Sequence, residues 1–209
     1  MLELDASFRD FGSIYEVCLQ CPQVCCMTAT LQPRHVAGLA QKLGRKGFSE
    51  SMLVCPSRPQ LEVGLKVTTD AKAWIAQELK RQPAGQRAIV FCLFKQNVTE
   101  MAAYLKGTLE SREILECVSG AIHDMAMFRK LSSAIMVCTS VLAAGVSFDT
   151  VTMVFFLSCA HGPEYFLQGA GRGARSEQEK CVATLVSTRR DLENHQRSKM
   201  SGEILSRAL

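Results

Sequence analysis

The chain has 209 residues, of which 47% are hydrophobic, 21% charged and 7% aromatic, with a net charge of +4. This is enough apolar sequence for one full core and part of another, and it excludes a disordered chain or a coiled coil. So mild a positive charge permits contact with nucleic acid without arguing for it.

The first ten residues are acidic and mixed and carry no secretory pattern. A strand is expected over Val24–Thr28, then a helix over about Pro33–Leu43 with proline in its first turn. Four cysteines, Cys18, Cys21, Cys25 and Cys26, precede that helix. The second pair is adjacent and Cys26 lies in an apolar run, which suits packing better than a closed tetrahedral site, so no zinc or other metal is expected. "SMLVC" follows, then the proline-flanked "PSRPQ". Thr68, Thr69 and Asp70 form a capping cluster ahead of a helix over about Ala71–Lys80, which "QPAGQ" breaks. "RAIVFC" reads as a buried strand, and "KQNVTEMAAYLKG" as an amphipathic helix closed by Gly107. "EILECV" is a strand, a short helix covers about Asp124–Leu131, and "AIMVCT" and "TVTMVFFLS" are strands.

Between Ala134 and His161 the chain is nearly uncharged, long enough to span a bilayer. Thr139, Ser140, Gly145, Ser147 and Thr150 interrupt it, so two buried strands joined by a polar turn are expected and no membrane contact. "GPEYFLQGAG" begins as a helix, "KCVATLV" is the last strand, and a polar helix runs from Arg189 to Leu209. Most of the ten cysteines sit in such apolar runs, where a free thiol packs as a small hydrophobe. A reducing, intracellular compartment follows. Strands alternating with helices imply an α/β fold with a doubly wound, mostly parallel sheet.

The stretch "QGAGRGAR", Gln168 to Arg175, carries the most chemistry. Gly169, Gly171 and Ala174 match G-x-G-x-x-G/A, and Asp191 lies about 20 residues on, as a dinucleotide-binding turn requires. That turn must follow a strand directly, whereas helix-like "PEYFLQ" separates these glycines from "TMVFFLS". Alternatively Arg172 and Arg175 can grip phosphate oxygens held by another domain. Taken alone, the loop reads equally well as a solvated basic turn.

Four segments stand in order: "SFRDFGSIYEVCLQCPQVCCMTATLQP", "RAIVFCLFKQNVTEMAAYL", "IMVCTSVLAAGVSFDTVTMVFF" and "YFLQGAGRGARS". Their order and spacing resemble a RecQ-like superfamily 2 DNA helicase. "TAT" is similar to motif III, "IVFC" with its helix to motif IV, "CTSVLAAGVS" to motif V and "QGAGRGAR" to motif VI. "SRP" resembles the link between the two RecA-like domains. The chain departs from the family pattern at Ala143, Ser147 and Ala174.

The resemblance implies a remnant of a first RecA-like domain over residues 1–60, a second RecA-like domain over 61–187 and a helical tail over 188–209. It implies that Arg172 is an arginine finger with Arg175 its companion. Gln168, Gly171, Thr28, Thr30 and Ser147 would couple to ATP. Thr139, Phe94 and Lys95 would contact the nucleic acid, and Phe8 and Arg9 would end a strand-sensing aromatic loop. The implied partner is single-stranded DNA or a duplex junction, in nuclear recombination and repair.

The sequence holds no G-x-x-x-x-G-K-[ST] and no D-E-x-H box. ATP and Mg²⁺ are therefore expected to bind only with a complete first domain, and the chain alone is expected to be inactive. The rival expectation is a non-catalytic module that binds nucleic acid or a partner. His123, Asp124 and His161 lack any nucleophile setting such as G-x-S-x-G.

Overall fold

The computed structural model describes residues 20, 23, 36–49, 58–118, 122–139, 148, 150–158, 163–173 and 180–194. The chain divides into two units, Met1–Ser57 and Arg58–Leu209. In the first, helix α1 (Val36–Lys42) matches the described part of the helix expected there. It ends where Gly44 takes φ 68° and Arg45 N–H reaches back to the Ala40 carbonyl at 2.9 Å, a left-handed cap that glycine makes without strain. The expected strand at Val24–Thr28, the four early cysteines, Thr28, Thr30, Phe8 and Arg9 lie outside the described residues.

The second unit is an α/β layer structure. Its elements are β1 (Leu61–Val67), α2 (Ala71–Arg81), β2 (Arg87–Phe91), α3 (Lys95–Thr108), β3 (Glu113–Cys117), α4 (Ile122–Lys130), β4 (Ala134–Cys138), β5 (Val151–Leu157), α5 (Pro163–Ala170) and β6 (Cys181–Ser187). The strands form one sheet in the order β1-β6-β5-β2-β4-β3, and every neighbouring pair is parallel. The crossovers through α2 and α3 step one way along the sheet, and those through α4 and α5 step the other way. Right-handed connections then put α2 and α3 on one face and α4 and α5 on the other.

Two cores confirm that arrangement. Ile75 and Leu79 of α2 and Val98, Met101 and Leu105 of α3 pack on Val90, Ile135, Val137 and Phe155. On the opposite face Phe128 of α4 and Ala170 of α5 pack on Ile89, Phe91, Met136, Val154 and Phe156. All five residues of β4 are buried, as a central parallel strand covered on both faces requires. The near-uncharged run from Ala134 supplies β4 and β5, the two strands that flank β2. No described helix is long and apolar enough to cross a membrane.

Local sequence explains most of the boundaries. Asp70 caps α2, its carboxylate accepting the Ala73 N–H at 3.0 Å. Gly107 does not close α3. It lies within the last turn, and the helix runs to Thr108, with the Leu109 N–H donating to the Leu105 carbonyl at 2.8 Å. β1 is a strand that the pattern did not suggest: Glu62, Gly64 and Lys66 dilute its apolar run, and pairing with β6 makes it extended.

At the amino-terminal ends of the strands, Arg112 ties the α3–β3 connection to the end of α2 and its link to β2. Its guanidinium donates to the Leu79 carbonyl at 3.3 Å, to Gln82 Oε1 at 2.5 Å and to the Gln86 carbonyl at 2.5 Å. Burial lowers its pKa from the usual arginine value, since the charged form loses solvation.

Cys92, Cys117, Cys138 and Cys181 are buried thiols, which bears out the packing role expected of the cysteines in these strands. Burial pushes the Cys92 thiol from 9.0 up to about 12 and the Cys138 thiol well above 9.0. The folded pKa therefore exceeds the unfolded one, so this stabilisation is complete below pH 9 and is lost as the pH rises from there towards 12. Unfolding free energy from urea titrations is expected to fall above pH 9, by up to about 1.4 kcal/mol per pH unit for each such thiol. These four thiols should also resist a disulfide reagent until denaturant is added. A flat profile above pH 9 would show that the thiols ionise in place.

Candidate functional site

Strands β5, β2 and β4 are neighbours at the centre of the sheet. The connection leaving β5 steps one way and that leaving β2 the other, so a crevice opens between their carboxyl ends, the usual ligand position in such sheets. Phe91 ends β2, and Cys92, Leu93 and Phe94 lead directly into α3. Phe94 is 62% exposed and sits as the extended N-cap of α3, with no side-chain hydrogen bond capping the helix. The first turn of α3 carries no acidic residue and begins with Lys95. A cation at the positive end of a helix is locally unfavourable. The same uncapped N–H groups and ammonium make a site for an anion. An exposed aromatic ring beside it can stack on a base.

Thr139 follows β4 at the same edge, buried, with its N–H donating to the Cys117 carbonyl at 3.2 Å. Ser158 follows β5 there, with φ 67° and its N–H donating to the Val186 carbonyl at 2.8 Å. A non-glycine residue at positive φ costs about 1–3 kcal/mol and tends to occur where a chain must turn for function.

The glycine-rich stretch lies elsewhere. α5 passes back over the sheet, and a Cβ on Gly169 would come 2.6 Å from the Phe156 ring and 2.9 Å from that of Phe91. Phe156 and Phe91 stack with centroids 5.0 Å apart, and Phe166 covers Phe156 at 4.6 Å. A Cβ on Gly173 would overlap the Cys181 sulfur and approach the Val151 carbonyl, at the first residues of β6 and β5. Two of the three glycines are thus packing glycines, and the loop does not turn from a strand into a helix. This removes the geometry that a dinucleotide-binding turn needs. Asp191 serves instead as a cap: its carboxylate accepts the Thr188 N–H at 3.2 Å and Oγ1–H at 2.7 Å, where helix 189–194 begins.

Hydrogen bonds from Gly171 N–H to the Leu167 carbonyl at 3.0 Å and from Arg172 N–H to the Gly169 carbonyl at 3.0 Å continue the winding of α5. Arg172 is 8% exposed, and Gln168 is half-buried. Arg58, just ahead of β1, brings its guanidinium to 3.5 Å from the Gly171 carbonyl. Reading "SRP" as a connector hid this arginine, because 113 positions separate the two residues.

The fold therefore brings Phe94, Lys95 and Thr139 to the carboxyl edge and places Gly171 and Arg172 near the amino-terminal edge, beside Arg58. Ser147, Arg175, Ala143 and Ala174 lie outside the described residues. Ser158 was missed because only a backbone angle distinguishes it. Among the described residues no cluster of His, Cys, Asp and Glu could hold a metal ion.

The profile of the helicase conserved C-terminal domain family matches residues 70–177. The chain belongs to that family. No curated protein sequence matches it. Among solved structures this helicase domain is similar to domain 2 of the DEAD-box helicase Mss116p bound to an RNA duplex, at 21% identity and TM-score 0.54, over 62% of this chain and 55% of that one. It is similar to S. cerevisiae Dbp5 bound to RNA and ADP BeF3, at 17% identity and TM-score 0.62, over 79% of this chain and 45% of that one. It is also similar to the E. coli DEAD-box protein SrmB bound to regulator of ribonuclease activity A, at 24% identity and TM-score 0.52, over 64% of this chain and 81% of that one. The chain thus spans about half the length of the first two. At these identities the likeness is one of fold: the RecA-like architecture expected from the motif order is present. These three are DEAD-box proteins, and what this chain shares with them is the helicase C-terminal domain.

Proposed function

We propose that this helicase domain is the second half of an ATP-dependent, RecQ-like 3′–5′ DNA motor. In this role the carboxyl edge of the sheet grips one nucleic-acid strand, while Arg172, with Arg175, meets the phosphates of a nucleotide bound by a first domain. The observation that carries the proposal is the uncapped start of α3: exposed Phe94 and Lys95 follow the carboxyl end of β2, one of the two strands that border the crevice. Gln168, Gly171, Thr28, Thr30 and Ser147 relay the nucleotide state, and Thr139, Phe8 and Arg9 add contacts to the strand. The sequence supplies guanidinium groups but holds no G-x-x-x-x-G-K-[ST] and no D-E-x-H box. ATP and Mg²⁺ therefore belong to the first domain, supplied in cis or in trans.

The test is binding of fluorescent single-stranded DNA and RNA to the whole chain across a salt series. Phe94→Ala is expected to weaken binding by about 1–3 kcal/mol. Lys95→Gln should lower the steepness of the salt dependence by about one phosphate contact. Unchanged affinity in both variants would sink the proposed strand site, and preference for RNA would sink the DNA assignment alone. ATP turnover is expected at background for the chain and above it once a first domain is added. Strand binding without turnover even then would favour the non-catalytic module.

A further inference from the structure

The outer edge of β1 is open among the described residues and carries exposed apolar side chains. Among the described residues β1 ends the sheet and pairs only with β6. The Gln60 carbonyl accepts from the Cys181 N–H at 2.9 Å, and the Thr68 N–H donates to the Ser187 carbonyl at 3.0 Å. Even-numbered residues of this strand therefore turn their backbone groups towards β6. The N–H and C=O groups of Val63, Leu65 and Val67 face outward. Their side chains are exposed as well, Leu65 by 62%. Open edges of this kind are normally blocked by charges, since any extended chain can pair with them.

The charges here are Glu62 and Lys66, both exposed and neither used in an ion pair among the described residues. Lys66 lies over the Trp74 ring at 5.6 Å. The strand reads L-E-V-G-L-K-V, and its pattern is matched end to end about Gly64. An identical strand laid antiparallel with the two-fold axis at Gly64 sets Leu61 opposite Val67, Glu62 opposite Lys66 and Val63 opposite Leu65. The outward-facing pair Val63–Leu65 then exchanges both backbone hydrogen bonds. Glu62 and Lys66 fall at the closer, non-hydrogen-bonded positions, where opposite charges attract best. Sliding the register by two residues in either direction preserves the hydrogen bonding but sets both charges opposite neutral residues. The blocking charges thus become complementary in one register only.

We propose that a second copy of this chain docks along β1, antiparallel and two-fold about Gly64, so that the two six-stranded sheets become continuous. The interface is isologous, each copy supplying the same seven residues, Leu61–Val67, and it closes at the dimer. It also brings the exposed Val63, Leu65 and Val67 of the two copies side by side on one face.

Sedimentation velocity of the whole chain over a concentration series tests this. A dimer that grows with concentration is expected. Glu62→Lys alone and Lys66→Glu alone each set like charges opposite one another and should weaken self-association at least fivefold. An equimolar mixture of the two variants should recover it as a mixed dimer, as should the double swap in one chain. Recovery in the mixture also shows that both variants fold. A chain that stays monomeric at every concentration would overturn the proposal, and so would a dimer indifferent to the swaps. A monomer whose Val63, Leu65 and Val67 amides resist hydrogen exchange would mean that another segment of the same chain occupies the edge, and would overturn it too.

Discussion

Arg172→Ala should lower ATP turnover by about 10³-fold or more in the motor assembled from this chain and a first domain, while strand affinity stays unchanged. The size follows from the chemistry proposed for the loop. A guanidinium offered to the transferring phosphoryl group acts where charge develops, in a site from which water is excluded. The separation of effects follows from the fold. Arg172 lies near the amino-terminal edge, beside Arg58 and the first residues of β5 and β6, whereas Phe94 and Lys95 lie at the carboxyl edge. Because Arg172 is largely buried within its own domain, removing it can also disturb packing. Arg172→Lys controls for this: it keeps the charge and much of the stem but loses the planar fork, so turnover should still fall steeply with an unchanged thermal midpoint. Full turnover in a folded Arg172→Ala variant would show that this arginine does not meet the phosphate.

Phe156→Ala is expected to cost about 3–5 kcal/mol of stability, measured from urea midpoints. Phe156 is fully buried, stacks on Phe91 and is packed by Phe166 and by Tyr165 at 6.2 Å. Its ring is also the floor under Gly169. The truncation therefore leaves a cavity beneath α5 and loosens the loop that carries Arg172. A loss of under about 1 kcal/mol would mean that the neighbouring rings close the space unaided.

Gly169 shows why a glycine pattern misleads when read along the chain alone. Three glycines and two arginines in eight residues suit a phosphate turn or a solvated loop equally well. What separates the possibilities is the ring of a residue 13 positions earlier and a cysteine eight positions after Gly173. The arginine in "SRP" is a sharper case, since nothing local connects it to Gly171. Conversely, "RAIVF", "AIMVC" and "TVTMVFFL" announce buried parallel strands unaided, because only a strand covered on both faces tolerates such unbroken apolar runs. The N-terminus of α2 is legible for a similar reason: Asp70 satisfies helix N–H groups three residues away, within the reach of local sequence.

By itself the sequence determined the alternation of strands and helices, the buried thiols and the ordered motifs that resemble a helicase, since each rests on short-range periodicity or composition. Tertiary structure alone decided the order of the strands, the strand character of β1 and the placing of Phe94 and Arg172 at opposite edges. Those features depend on pairing and packing between residues far apart in the chain, whose energy no local window contains.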